Sequence, residues 1–126
     1  MNDCKFCLEN GFLSNEVVIE DDYHFFVWSI DPILVHSGLI ISKRHTETPF
    51  DYSLEEWTSL KKMLGRAKDL IDKNSPHGYN IGWNSGQVAG QEIKHVHLHI
   101  IGRFADEPLA GKGIRSHIKS PSNKRP

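Results

Sequence analysis

A chain of 126 residues is the length of a single domain, long enough to bury a real hydrophobic core without staples. Its 15 Lys and Arg against 16 Asp and Glu give a net charge of −1, which argues against a dedicated nucleic-acid binder. No apolar run approaches the roughly 20 residues of a membrane span.

The chain opens with Met1-Asn2-Asp3-Cys4, which lacks the basic and apolar regions of a signal peptide, so a cytoplasmic protein is expected. Its 2 cysteines lie close together as Cys4-Lys5-Phe6-Cys7. In a reducing compartment that spacing favours a metal or redox role over a structural disulfide. The short loop after Cys7 and the Asn10-Gly11 turn signal suggest a knuckle closed by an ion.

Three short strands follow. Val17-Val18-Ile19 is the first and Asp21-Asp22 its turn. Phe25-Phe26-Val27-Trp28, rich in β-formers, is the second and ends at Asp31-Pro32. Leu39-Ile40-Ile41 is the third, leaving through Ser42-Lys43-Arg44-His45. Ser53 to about Lys73 reads as the one long helix. Ser53 and Glu56 form a capping box, and Leu54, Trp57, Leu60, Leu64, Ala67 and Ile71 trace one apolar stripe. Asn74-Ser75-Pro76 stops it. Trp28, Trp57 and Trp83 read as core or interface residues, and His24, His77 and His117 as solvent-facing.

Tyr79 to Asn84 is a fourth strand, joined by the glycine-containing loop 85–90 to the most informative stretch of the chain. In His95-Val96-His97-Leu98-His99-Ile100-Ile101, histidine and apolar residues alternate strictly. Alternation at period two is a strand signal, and it puts three imidazoles on one face with Val96, Leu98 and Ile100 on the other. Neighbouring rings would stand roughly 6.6 Å apart, so one small anionic group can be approached by two of them. Thr, Ser or Lys would make an equally good polar face, so three titratable rings in a row point to chemistry. From Ala105 to Pro126 the composition turns to Gly, Pro, Ser and Lys without periodicity, a locally basic segment that is either a flexible arm or a cover for a neighbouring site. The division is therefore a domain over 1–104 and an arm over 105–126.

The His-x-His-x-His run, with Gly90-Gln91 and Asn84 before it and Ser42-Lys43-Arg44-His45 some fifty residues earlier, resembles the histidine triad of the HIT superfamily. The likeness covers roughly residues 4–104 and is closer to the Hint and Fhit branches than to the galactose-1-phosphate uridylyltransferase branch, which has glutamine at the position of His99. It implies an α+β fold: a five-stranded antiparallel sheet with one long helix, dimerising into a ten-stranded sheet. It also implies hydrolysis or transfer at the α-phosphate of purine nucleotides. Nucleoside 5'-phosphoramidates are the first substrate class, dinucleoside polyphosphates the alternative, and a non-catalytic nucleotide-binding scaffold a third reading.

By the same resemblance His97 is the covalent nucleophile, oriented by the backbone carbonyl of His95, and His99 donates to a phosphate oxygen or the leaving group. Imidazole suits this work because much of it is unprotonated near pH 7. Asn84 and Gln91 would position the phosphate. Three substrate-side positions depart from the family pattern. Ser37 stands where relatives commonly carry histidine, Glu92 where many have Ser or Thr, and Ser29 where a ribose-contacting acid or amide is usual. Relatives that carry zinc use positions equivalent to Cys4, Cys7, His45 and His95, which implies a structural zinc and no catalytic metal or organic cofactor. A metal bound by the triad itself is the rival arrangement.

Overall fold

The structure, a computed structural model, describes residues 2–126. Five strands form one antiparallel sheet: β1 (Val17–Glu20), β2 (His24–Trp28), β3 (Ser37–Ser42), β4 (Gly78–Gly82) and β5 (His97–Arg103). Their spatial order is β1-β2-β3-β5-β4, so the histidine strand is interior, between β3 and β4. Helix α1 (Leu54–Asp72) crosses over between β3 and β4 and covers one face of the sheet. The expected α+β architecture is present.

Alternation sorts the two faces. Phe26 of β2, Ile40 of β3, and Leu98 and Ile100 of β5 point to the helix, where they meet Leu60, Met63, Ala67 and Ile71. Phe25, Val27 and Ile41 point the other way and pack under Phe6, Leu8 and Leu13 of the N-terminal segment. Register carries the histidines onto this second face, since His97 pairs with Ile41 and His99 with Leu39. Residues directly opposite in a ladder share a face.

Helix α1 starts as read: Ser53 Oγ accepts the Glu56 N–H at 3.1 Å, and a Glu56 carboxylate oxygen accepts the Ser53 N–H at 2.8 Å. Its buried face is rotated from the expected stripe. Leu54 is 76% exposed and Trp57 43% exposed, while Glu56, Ser59 and Met63 are buried. The cause is polar. Arg44 clamps the Glu56 carboxylate from Nε at 3.1 Å and from a terminal nitrogen at 2.8 Å, which satisfies a buried charge and pins that side of the helix to the sheet. Trp57 instead packs edge-on against Tyr52 and Trp83 near the β4 edge.

His24 is also placed differently from its solvent-facing reading: it is fully buried between β2 and α1. Tyr52 donates its hydroxyl to His24 Nε2 at 2.9 Å, and His24 Nδ1 donates to Ser59 Oγ at 2.8 Å. Ser59 in turn donates to Asp21 at 2.7 Å. With every polar atom paired in one direction, a neutral imidazole is tolerated inside the core. His77 and His117 are exposed as expected.

At Gly38 the β2–β3 pair leaves no room for a side chain. A Cβ there would collide with the Phe26 ring and the Val27 carbonyl oxygen. Gly38→Ala is expected to destabilise the protein by about 1–3 kcal/mol, the usual scale of overpacking. A lower urea midpoint at unchanged denaturant slope is the readout.

Candidate active site and metal-binding cluster

The alternation over residues 95–101 is real, but the ladder starts at His97, paired with Ile41 of β3. His95 lies just ahead of it. The backbone there is held by Val96 N–H donating to the Thr46 carbonyl at 2.7 Å. Outside the ladder, the His95 carbonyl is turned to its own neighbour: His97 Nδ1 donates to it at 2.7 Å. Since Nδ1 holds the proton, the His97 lone pair sits on Nε2. The ring is fixed further by edge contacts with Phe6 at 4.9 Å and His99 at 5.1 Å between centroids.

His99 Nε2 is buried and without a hydrogen-bond partner. Beside it opens a cleft of about 200 Å³ lined by Asn80, Gly82, Asn84, Ile101 and Ile114. An orphaned buried nitrogen on a cleft wall is satisfied when a ligand oxygen arrives. Burial lowers the proton affinity of both His97 and His99 below the ordinary imidazole value of 6.5, and at His99 a charge on His97 would lower it further. The pair is therefore neutral at physiological pH. That is the state required of a nucleophilic ring.

The substrate-side residues are brought to the same face with different freedom. Asn84 is exposed at the cleft, beside Gly90, whose φ of 98° folds the preceding loop back on itself. Gln91 is committed to the backbone: its Nε2 donates to the Glu47 carbonyl at 2.6 Å and its Oε1 accepts the Gly86 N–H at 2.8 Å. It ties the 84–91 loop to the loop carrying His45. Glu92 is exposed, and its charge acts on His97 in the direction of protonation. The Ser37 and Ser29 hydroxyls both serve the 29–37 loop, Ser37 donating to the Leu34 carbonyl at 2.6 Å and Ser29 accepting the Asp31 N–H at 3.0 Å. His36 is outside β3, with its ring on Phe104.

The second cluster abuts the first. The ligand atoms of Cys4, Cys7, His45 and His95 all lie within 4.8 Å of one another and are positioned to bind a metal ion. His95 Nε2 donates to the Ser42 carbonyl at 2.7 Å, so its unprotonated Nδ1 is the nitrogen turned into the cluster. That Nδ1 is 3.5 Å from each sulfur and 3.2 Å from His45 Nδ1. Burial, aided by the neighbouring Cys4, pushes the Cys7 thiol up to about 11. A metal ion would displace that proton, as metal binding to thiols does.

Two contributors were not singled out from sequence. Ser42 selects the His95 tautomer across 53 residues of chain, which no local pattern records. Phe6, the wall of His97, carries a signal only in hindsight: it sits inside the Cys-x-x-Cys spacing. Lys43 and Arg44, the cations of the strand exit, are occupied by Glu20 at 2.7 Å and Glu56 at 2.8 Å.

Known proteins resemble this chain over most of its length. A family model described as the HIT domain matches residues 11–106. An uncharacterised HIT-like protein of Methanocaldococcus jannaschii is 35% identical over 102 residues, 80% of this chain and 79% of that protein. An adenosine 5'-monophosphoramidase of Candida albicans is 33% identical over 117 residues, 87% of this chain and 76% of that protein. Among solved structures, a HIT family member from Bacillus subtilis superposes with a TM-score of 0.74 at 27% identity, covering 83% of this chain and 76% of that one. With its triad on the interior strand and the family match spanning the sheet and helix, the chain belongs to the HIT family.

Proposed function

We propose that this protein hydrolyses purine nucleotide conjugates at the α-phosphate, nucleoside 5'-phosphoramidates foremost, through a nucleotidyl group carried on His97. The observation that carries the reading is the 2.7 Å bond from His97 Nδ1 to the His95 carbonyl, which leaves Nε2 as a neutral, oriented nucleophile. The adenosine 5'-monophosphoramidase relative supports the substrate class.

In this mechanism His97 Nε2 attacks the α-phosphorus, forming a nitrogen–phosphorus bond as the bond to the leaving amine breaks. The His95 carbonyl steadies the ring as it becomes cationic. His99 Nε2, without a protein partner, faces the phosphate oxygens and the departing nitrogen, donating a hydrogen bond from its neutral ring; the nitrogen leaves with a proton drawn from solvent in the cleft, and the water of the second step returns one. Water then attacks the same phosphorus and releases the nucleoside monophosphate, returning His97 to the free base. Asn84 contacts the phosphate, while Gln91 acts at one remove by holding the 84–91 loop. Phosphoryl transfer of this kind asks the protein mainly for positioning and charge stabilisation.

His97→Ala is expected to abolish turnover while leaving the urea midpoint close to that of the parent. Intact-mass and peptide mapping of acid-quenched samples should find a nucleotidyl group on His97; substantial turnover by the alanine variant would favour direct attack by water. Because burial lowers His97, the ring remains a free base as pH falls to 6.5. The acid limb of kcat/KM should therefore have its midpoint below 6.5, with activity falling at still lower pH. A limb centred above that value would contradict the buried neutral nucleophile.

The metal cluster is assigned to structural zinc. Tetrahedral zinc with sulfur at about 2.3 Å and nitrogen at about 2.0 Å sets sulfur–nitrogen edges of about 3.5 Å and a nitrogen–nitrogen edge of about 3.3 Å. Four of the six spacings in the cluster, at 3.2–3.5 Å, support that fit, with all six within 4.8 Å. When bound, zinc supplies a fixed cross-link between the N-terminal knuckle and the strand that holds the triad. Protein purified without chelator should carry about one zinc per chain, and Cys7→Ser should lose it with a clear drop in Tm. Absence of zinc from reduced, unchelated protein would refute the assignment.

Two further readings complete the proposal. The open β4 edge, flanked by Trp57 and Trp83, is the place for a second copy to extend the sheet to ten strands. The site acts in the cytoplasm on soluble nucleotides; among the described residues no helix is long and apolar enough to cross a membrane.

A further inference from the structure

The C-terminal arm does not extend away from the domain. Arg103, the last residue of β5, gathers it in: its guanidinium donates to the Glu107 carboxylate, to the Leu109 carbonyl at 3.0 Å, to the Lys112 carbonyl at 2.6 Å and to the Asn80 side chain. The arm is thereby folded back along β4 on the histidine side. Ile114 reaches the backbone opposite His99, where a Cβ built on Gly82 would lie 3.7 Å from its Cδ1.

This course creates a second concavity. Lys112, Arg115 and Lys119, with Ser116, Ile114 and Asn80, line an open cavity of about 360 Å³ that has no acidic residue in its wall. Among the described residues none of the three cations has an ion-pair partner, whereas Lys43, Arg44, Lys68 and Arg103 all do. Asn80 and Ile114 also line the cleft beside His99. The two spaces therefore share a wall and follow one another along β4.

We propose that this cavity is an anion subsite for the far end of the leaving group, taking the terminal phosphates of an oligophosphate-linked nucleotide conjugate. The inference rests on the reading that His97 attacks a nucleotide phosphorus. Register sets the reach: Asn80 pairs with Ile101, four residues beyond His97, or about 13 Å along the strand. A simple amine leaving group ends far short of the cations. A chain of several phosphates lies along the cleft past His99 and delivers its charge to Lys112, Arg115 and Lys119. Arg115 offers a planar fork for two phosphate oxygens, and the two lysines add point charges. The arm thus sorts substrates by the length and charge of what departs, leaving the chemistry at His97 unchanged.

The test compares the parent protein with a triple variant, Lys112→Ala, Arg115→Ala and Lys119→Ala. All three positions are exposed, so folding is expected to be retained, and the urea midpoint checks it. Turnover of adenosine phosphoramidate should stay within about twofold of the parent, while kcat/KM for a diadenosine tetraphosphate should fall about tenfold or more, mainly through KM. Added salt should erode the difference, since exposed cations carry it. Equal losses on both substrates, or no loss on either, would overturn the subsite. If neither substrate is turned over by the parent, the catalytic reading falls and the cavity is judged by calorimetry with inorganic tripolyphosphate. Binding by the parent that weakens about tenfold in the triple variant keeps the subsite, and equal or absent binding removes it.

Discussion

His95 makes two bonds on which everything else in the site depends. Its Nε2 donates to the Ser42 carbonyl, which fixes the ring and turns Nδ1 toward Cys4, Cys7 and His45. Its carbonyl accepts from His97 Nδ1, which fixes the neighbouring ring and turns Nε2 toward the cleft. The Ser42 carbonyl thus sets the tautomer of His95 and the His95 carbonyl that of His97, so one residue links two imidazoles facing opposite clusters. The arrangement is possible because β5 joins its ladder only at His97; a residue earlier, the His95 carbonyl would be engaged by a neighbouring strand. Where the ladder begins is thus a chemical decision as much as a structural one.

The Cys4–Cys7–His45–His95 cluster and the His97 ring are joined by the same short stretch of chain. Cys4 and Cys7 bracket Phe6, and Phe6 packs edge-on against His97 while also closing the small core formed by Phe25, Val27 and Ile41. The N-terminal segment has no strand to anchor it, only a single turn of 3-10 helix at Leu8–Asn10. An ion held by Cys4, Cys7, His45 and His95 would replace that missing anchorage with coordinate bonds, and so hold the Phe6 wall of the His97 ring in place.

Much of this was legible in the sequence because it is periodic or local. The alternation at 95–101 gave the strand and its two faces, and Ser53 with Glu56 gave the helix start within one residue. What escaped is set by partners distant in the chain. His24 is acceptable in the core only because Tyr52 and Ser59 reach both ring nitrogens. The helix stripe was displaced because Arg44 makes Glu56 a buried residue, so Leu54 and Trp57 are turned outward. Gln91 reads as a phosphate contact by position, yet its amide bridges Gly86 and Glu47. Polar residues obey pairing before periodicity, and pairing across forty residues leaves no local trace.

The distribution of charge follows from the same constraints. A cation placed among the buried imidazoles would carry a desolvation cost and would press their proton affinities lower still. The strand exit, where Lys43 and Arg44 stand, offers no free charge because Glu20 and Glu56 hold both side chains. On the proposed reading an anionic substrate meets its positive field somewhere solvated and still within reach. The arm beyond Arg103 meets both conditions: its cations remain in water, and the Arg103 clamp brings the backbone that carries them to the end of the cleft. On the proposed reading, neutral rings do the covalent work inside the cleft while the positive charge stays outside it, on the arm that lines its far end.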